Sequence, residues 1–283
     1  VGCKKPAIKH LSGYTSWYNY FQNINENIII RDLNGLDRAS EEVNIFQVDD
    51  GYQHAVGDWL ITDHKKFPKG MKYIADEIHK KGYKAGIWLA PFSAQCSSII
   101  AKKHPEWLLM SDTNDNLIVY YGVEEAYQYI FNLICNYVEK FDMACYRQDF
   151  NVALSEYFKT YDEENRRGIT EIKHINGLYK LWDALLEKYP HLIIDNCASG
   201  GRRIDIETLR RSIPLWRSDY QCPAKTQIEG TQCHNLSFNT WMPYSGTGSG
   251  RIYDTYKFRS SYSPALNMGY TFSEKDVFGN DPE

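Results

Sequence analysis

The chain has 283 residues, 43% of them hydrophobic and 14% aromatic, which is enough for one large domain with a substantial core or for two small ones. A net charge of −4 supplies no broad basic field for nucleic acid, and no apolar run approaches the length of a membrane span, so neither partner is expected. The seven cysteines (Cys3, Cys96, Cys135, Cys145, Cys197, Cys222 and Cys233) contain no Cys-x-x-Cys pair, so neither a zinc site nor a dense disulfide frame is signalled, and a cytoplasmic compartment is slightly favoured over secretion. The chain opens at Val1 rather than Met and reads as cut from something longer.

Short β-type runs alternate with amphipathic helical stretches throughout, the pattern of βα units around a parallel sheet. The first strand is expected around His10 to Trp17, then a helix from Asn25 to Leu36 whose Ile28, Ile29, Ile30 and Leu33 give an apolar face. The second strand, Asn44 to Val48, ends at Asp49-Asp50-Gly51. A helix from Gly70 to Lys80 leads to the third strand, Lys84 to Leu89. A short helix near Ser97 to Lys103, an irregular stretch to about Gly122 and a helix from Glu124 to Phe141 follow. The fourth strand, Met143 to Gln148, stops at Asp149. A helix near Asn176 to Tyr189 precedes the fifth strand, Leu192 to Asp195, and helix Ile206 to Arg211 precedes the sixth, Pro214 to Trp216. A seventh strand at Asn239 to Met242, a helix near Tyr256 to Met268 and a short eighth strand at Gly269 to Phe272 complete the count. This is a nearly complete (β/α)8 barrel in a single domain spanning residues 1–283, its final helix missing or replaced. A doubly wound open sheet would want a Gly-rich phosphate loop after its first strand, and Thr15-Ser16-Trp17-Tyr18-Asn19 is none.

In this register carboxylates end three strands: Asp49 and Asp50, Asp149, and Asp219. In a parallel barrel these ends form one face, and acids gathered there repel one another unless a cation or a hydroxylated ligand compensates. Glycoside hydrolysis needs such a pair, one carboxylate ionised and one protonated, and Asp149 with Asp219 is the best placed. Plainer readings stand beside this one. Asp149 could merely cap the next segment, Asp49-Asp50-Gly51 is common turn chemistry, and Asp219 could pair with Arg217 or Arg211. Cys197 could be core packing and Gly200-Gly201 a tight turn. Trp17, Trp59, Trp88 and Trp241 are singly core residues, and together near strand ends they suggest platforms for sugar faces.

Taken in order, Phe46-Gln47-Val48-Asp49-Asp50-Gly51-Tyr52-Gln53, Gly57-Asp58-Trp59-Leu60, Gly86-Ile87-Trp88-Leu89-Ala90-Pro91-Phe92, Tyr146-Arg147-Gln148-Asp149-Phe150, Cys197-Ala198-Ser199-Gly200-Gly201-Arg202 and Trp216-Arg217-Ser218-Asp219-Tyr220 resemble α-galactosidases of glycoside hydrolase family 36, in clan D. The resemblance runs from Ser16-Trp17-Tyr18 to the eighth strand. It implies a (β/α)8 catalytic barrel whose flanking β-rich domains are absent, acting on a terminal α-galactoside or related sugar with retention of configuration, with no metal or other cofactor. Asp149 is implied as nucleophile and Asp219 as general acid/base. Asp49 and Asp50 are implied to hold the galactose 4- and 6-hydroxyls, Trp88 to form a pocket wall, and Cys197 with Gly200 to lie near the 2-position. Arg147 stands where the family usually has a lysine, and joins Arg217, Trp17 and Trp59 in the expected substrate-binding set. Tyr120-Tyr121-Gly122 replaces a usual Leu-Asp. An α-N-acetylgalactosaminidase of the same family and a non-catalytic sugar-binding barrel are the competing readings, and a homo-oligomer is compatible with all three. A metal-dependent barrel enzyme would share the acids but lacks histidines at strand ends.

Overall fold

In the computed structural model, which describes residues 11–36, 44–112, 114–221, 227–242, 244–250 and 254–268, strands and helices alternate from the start. The order is β1 (Gly13–Thr15), α1 (Trp17–Tyr20), α2 (Glu26–Leu36), β2 (Ile45–Val48), α3 (Gly70–Lys80) and β3 (Lys84–Leu89). An excursion follows, made of β4 (Ser93–Gln95), α4 (Ile99–Lys103), β5 (Leu108–Ser111) and β6 (Asn114–Val119). The alternation then resumes with α5 (Glu124–Phe141), β7 (Met143–Gln148), α6 (Ser155–Tyr161), α7 (Ile169–Lys188), β8 (Ile193–Asn196) and α8 (Ile206–Leu209). Last come α9 (Ile228–Phe238), β9 (Gly246–Gly250), α10 (Thr255–Ser260) and β10 (Ala265–Met268).

The helices follow their apolar spacing. Met71, Ile74, Ala75 and Ile78 bury one stripe of α3, and Ala126, Tyr127, Ile130, Leu133, Ile134, Tyr137 and Val138 bury one of α5. Glu124 and Glu125 sit in the first turn of α5, where the helix dipole favours negative charge, and Asp142 closes it in the left-handed region at φ 50°. Burial of these stripes against the outer face of the sheet forms the main core, which includes Phe46, Val48, Ile87, Leu89, Tyr146, Leu181, Trp182 and Ile194.

Strands β1, β2, β3, β7 and β8 pair side by side, all parallel. The row continues through residues 213–217. The Ile213 amide donates to the Ile194 carbonyl, the Gly246 amide to that of Pro214, and the Arg217 amide to that of Gly246. Strand β9 then pairs in parallel with β10. At Gly246 a Cβ would stand 1.6 Å from the Leu215 carbonyl oxygen, so only glycine admits that approach.

Several expectations shift. The sixth strand is a short run bridged to β8 at Asp195 and Ile213 rather than a full strand. The first is shorter than expected, because Trp17 already lies in α1. Residues 239–242 are not a seventh strand but the turn that follows α9, in which the Met242 amide donates to the Phe238 carbonyl. The seventh strand is β9, and the expected helix near 256–268 divides into α10 and β10. The expected eighth strand at 269–272 lies outside the described residues, as does His10. The stretch read as irregular holds an antiparallel sheet in the order β4-β6-β5, and helix α6 stands where only loop was expected.

Candidate active site

Successive side chains of a strand point to opposite faces, and that parity decides which residues can meet. On the face away from the helices β2 presents Ile45 and Gln47 and then Asp49, β3 presents Gly86 and Trp88, β7 presents Cys145 and Arg147 and then Asp149, and β8 presents Ile193 and Asp195 and then Cys197. The registers pair Thr15 with Gln47, Gln47 with Gly86, Trp88 with Arg147, and Arg147 with Asp195. Toward the N-terminal ends this face is apolar, with Ile45, Cys145 and Ile193 in a small cluster beside Leu11. One residue pair further along it becomes polar, and the acids sit at the top.

Asp49 is 2% exposed and accepts from Thr15 Oγ1 at 3.2 Å and Gln47 Nε2 at 3.1 Å through Oδ2, and from the Asp50 amide at 3.0 Å through Oδ1. Its own amide donates to Ser16 Oγ at 3.0 Å. Burial pushes its carboxyl up to about 6, against the pull of Arg147 and the Asp50 amide, with Asp149 and Asp50 adding repulsion. Asp50 is held through both oxygens, by Gln22 Nε2 at 2.7 Å and Gln53 Nε2 at 2.5 Å. The buried Arg147 donates from Nη1 to Asp195 Oδ2 at 2.6 Å, while its Nε lies 3.5 Å from Asp49 Oδ2.

Asp149 follows the last residue of β7, its amide donating to the Leu89 carbonyl at 2.9 Å. Its carboxylate accepts from the Phe150 amide at 2.6 Å on Oδ1, and from Trp88 Nε1 and Asn151 Nδ2, each at 3.2 Å, on Oδ2. Asn151 is tied in turn to the next loop, since its Oδ1 accepts from the Ser199 amide at 3.0 Å and Ser199 Oγ at 2.9 Å. That loop turns through positive φ at Ser199 (50°) and Gly200 (76°). Gly200 bridges to Ser218, and a Cβ placed on it would be 2.6 Å from the Asp219 amide nitrogen. Asp219 is exposed, and its Oδ1 accepts from Trp216 Nε1 at 2.9 Å. A continuous set of contacts therefore joins the Asp149 loop to the Asp219 loop, across residues that are far apart in sequence.

The remaining expected residues fall into two groups. Trp88 and Cys197 border the acids. Both are buried, with burial pushing the Cys197 thiol up, and the Cys197 amide donates to the Gln148 carbonyl at 2.8 Å. Trp59, 1% exposed, meets Trp88 edge-on at 5.7 Å and so braces that ring. Trp17 is half-buried in α1, edge-on to Phe21. Arg217 is buried with its guanidinium on Asn235, on Asn239 Oδ1 at 3.0 Å and on Ser245 Oγ at 3.0 Å, and burial lowers it to about 10. Arg211 pairs with Asp183 and Glu207, so the partner of Asp219 is an indole rather than either arginine. Trp241 follows α9, 47% exposed.

Reading the chain for carboxylates passed over Asp195, Asn151, Ser199 and Trp216, along with Tyr18, whose ring lies 4.2 Å from that of Trp216. Asp195 did carry a signal: it sits two residues before Cys197, on the same strand face. Among the described residues no group of three His, Cys, Asp or Glu could hold a metal ion, and no helix is long and apolar enough to cross a membrane.

The Melibiase family profile matches residues 15–232. An α-galactosidase of Escherichia coli is 31% identical over 222 residues, 72% of this chain and 29% of that protein. Alpha-galactosidase 1 of Pediococcus pentosaceus is 27% identical over 190 residues, 62% of this chain and 26% of that one. The chain thus spans less than a third of either relative. Among solved structures, the α-galactosidase of Lactobacillus brevis superposes with a TM-score of 0.77 at 21% identity, over 92% of this chain and 37% of that chain. The family 36 α-galactosidase AgaA of Geobacillus stearothermophilus gives 0.75 at 20% identity, over 92% and 38%. These two likenesses are of fold. With the acids ending their strands on one face and the family profile covering most of the sequence, the chain belongs to the melibiase family.

Proposed function

We propose that this chain is the catalytic barrel of a retaining α-galactosidase, closed in the full-length protein by its eight parallel strands, with Asp149 as nucleophile and Asp219 as general acid/base. The observation that supports the reading is the contact path from Asp149 through Asn151, Ser199 and Gly200 to Ser218, the neighbour of Asp219, which ties together the loops of two acids far apart in sequence. In the first step an Asp149 oxygen attacks the anomeric carbon as the bond to the departing oxygen breaks, and Asp219 gives that oxygen its proton. In the second, water attacks the same carbon, Asp219 takes a proton from it, and the bond to Asp149 breaks. The hydrogen bonds from Phe150, Asn151 and Trp88 fix the carboxylate's orientation, so little reorganisation accompanies attack. Asp49 and Asp50 accept from neighbouring sugar hydroxyls, with Arg147 and Trp88 lining the same ring.

AgaA variants have been solved with stachyose and with raffinose, and a terminal α-galactoside is the substrate class we assign to this chain. The retaining route requires the two carboxyl groups about 5–5.5 Å apart when substrate is bound, against roughly 6.5–9.5 Å for inversion. The test is hydrolysis of paired α-galactosyl and α-N-acetylgalactosaminyl chromogenic substrates by the full-length protein, with the anomer of the first-formed sugar followed by NMR. Release of α-galactose that survives a chelator supports the reading. Preference for the acetamido sugar moves the specificity, a β-anomer refutes retention, and no hydrolysis with retained galactose binding leaves a sugar-binding barrel.

A further inference from the structure

Arg147 is buried between two carboxylates and could close on either. Its Nη1 is committed to Asp195 at 2.6 Å, whereas its Nε makes only a longer ion-pair contact with Asp49 Oδ2, at 3.5 Å, and no hydrogen bond. Asp195 is 1% exposed and engages both oxygens, the second accepting from the Leu215 amide at 2.9 Å. It is therefore anchored to the neighbouring run of chain as well as to Arg147. Three buried charges of net −1 make a poor device for stability, because desolvation offsets most of their attraction. Such a cluster is better explained by the geometry it enforces. A guanidinium released from Asp195 has a carboxylate within reach, and a planar two-donor pair with Asp49 is the stronger arrangement available to it. That pairing would take up the acceptor capacity that Thr15, Gln47 and the Asp50 amide leave on Asp49, which the galactosidase reading assigns to a sugar hydroxyl.

We propose that Asp195 is a positioning residue: it holds the Arg147 guanidinium back from a closer, two-donor pair with Asp49, leaving the remaining acceptor capacity of that carboxylate for a hydroxyl of the bound sugar. This rests on the function proposed above. Asp195 touches no substrate on this view and acts only through Arg147.

The test uses the full-length protein and the variants Asp195→Asn, Asp195→Glu, Arg147→Lys and the double Arg147→Lys/Asp195→Asn. KM for a chromogenic α-galactoside and the inhibition constant of free galactose should both rise about 10- to 100-fold in Asp195→Asn, the range for losing one hydrogen bond to a charged group, while kcat changes several-fold at most. Asp195→Glu, which keeps the carboxylate, should recover most of the loss. The double variant should bind no worse than the weaker single one, because both act on one element. A lowered thermal midpoint with unchanged KM would reduce Asp195 to a structural residue and overturn the proposal, as would effects that multiply in the double variant. The Nε–Hε NMR resonance of Arg147, identified by its loss in Arg147→Lys, separates the two readings. If the wild-type protein neither cleaves α-galactosides nor binds galactose, the galactosidase reading fails. A resonance that still moves in Asp195→Asn then keeps Asp195 as the holder of Arg147 in a pocket for another ligand, and one that stays put removes that role too.

Discussion

Replacing Gly200 with alanine should disable the site with little damage to the fold. The residue sits at φ 76°, where an L side chain costs about 1–2 kcal/mol. The added Cβ would lie 2.6 Å from both the Asp219 nitrogen and Ser218 Cα, and ordinary contact begins at 3.4 Å, so one backbone must retreat by about 0.8 Å (3.4 − 2.6). The atoms in the way belong to the proposed acid/base and its neighbour, and Ser199 on the other side is held to Asn151. A misplacement of this size near reacting groups costs on the order of 10²-fold in rate. The strain should lower the thermal midpoint by only about 2–8 °C, taking about 2–4 °C per kcal/mol for a domain of this size. The assay is kcat/KM on a chromogenic α-galactoside beside a thermal melt of the full-length protein. Gly200→Ala activity within about threefold of wild type would refute the argument that this turn sets the Asp219 position.

Four further outcomes follow from the same geometry. Asp149→Asn should abolish turnover while sparing galactose binding, and Asp219→Asn should lower kcat by about 10²–10⁴-fold for substrates with poor leaving groups, less for good ones; near-normal turnover in either variant removes its assignment. Trp216→Phe keeps a ring against Tyr18 but removes the donor to Asp219, so kcat should fall roughly 10- to 100-fold with KM nearly unchanged, and an unaltered kcat would make that hydrogen bond incidental. Asp49 titrates near 6 in the fold against an ordinary 3.8, so the folded state holds the extra proton between those values and stability from this group grows as pH falls from about 6 to about 4. His174, buried among Phe92, Tyr121 and Phe158 and lowered from 6.5 to about 3 by burial, does the reverse, since the unfolded chain takes the proton first and stability is lost as pH falls below about 6.5. Asp49→Asn leaves the histidine unopposed. Denaturant unfolding of this variant between pH 6 and 4 should lose about 1.4 kcal/mol more per pH unit than wild type, and parallel profiles would refute the assignment.

Much of the fold was legible because its signals are local. The apolar stripes of α3 and α5 and the run of β3 ended where the sequence said, the helices bounded by charges or glycine and β3 by Lys84 and, just past its end, Pro91. The antiparallel sheet after β3 was missed because its strands pair with one another over a surface formed elsewhere, so Leu108–Ser111 and Asn114–Val119 carry little periodicity of their own. The last third misled for another reason. Asn239 to Met242 looks like a strand, yet its amides donate back to the last carbonyls of α9, while Gly246–Gly250 has no side-chain pattern and is a strand through its pairing with β10, with Gly246 admitting the close approach to Leu215. In the site, strand-end acids announce themselves by chemistry. Asn151, Ser199 and Trp216 are ordinary residues in sequence and acquire their places only through contacts between loops.

The excursion between β3 and α5 divides the molecule's labour. Ser93–Gln95 and the strands beside it rest on the body through contacts such as Phe92 against Phe150 and the Tyr157 hydroxyl on the Asn116 carbonyl, yet none of them is a stave. Substitutions within it leave undisturbed the parity that aligns the acids, because β4, β5 and β6 pair with one another and not with the parallel strands. The register of the parallel strands is thus set by residues outside this stretch of the polypeptide.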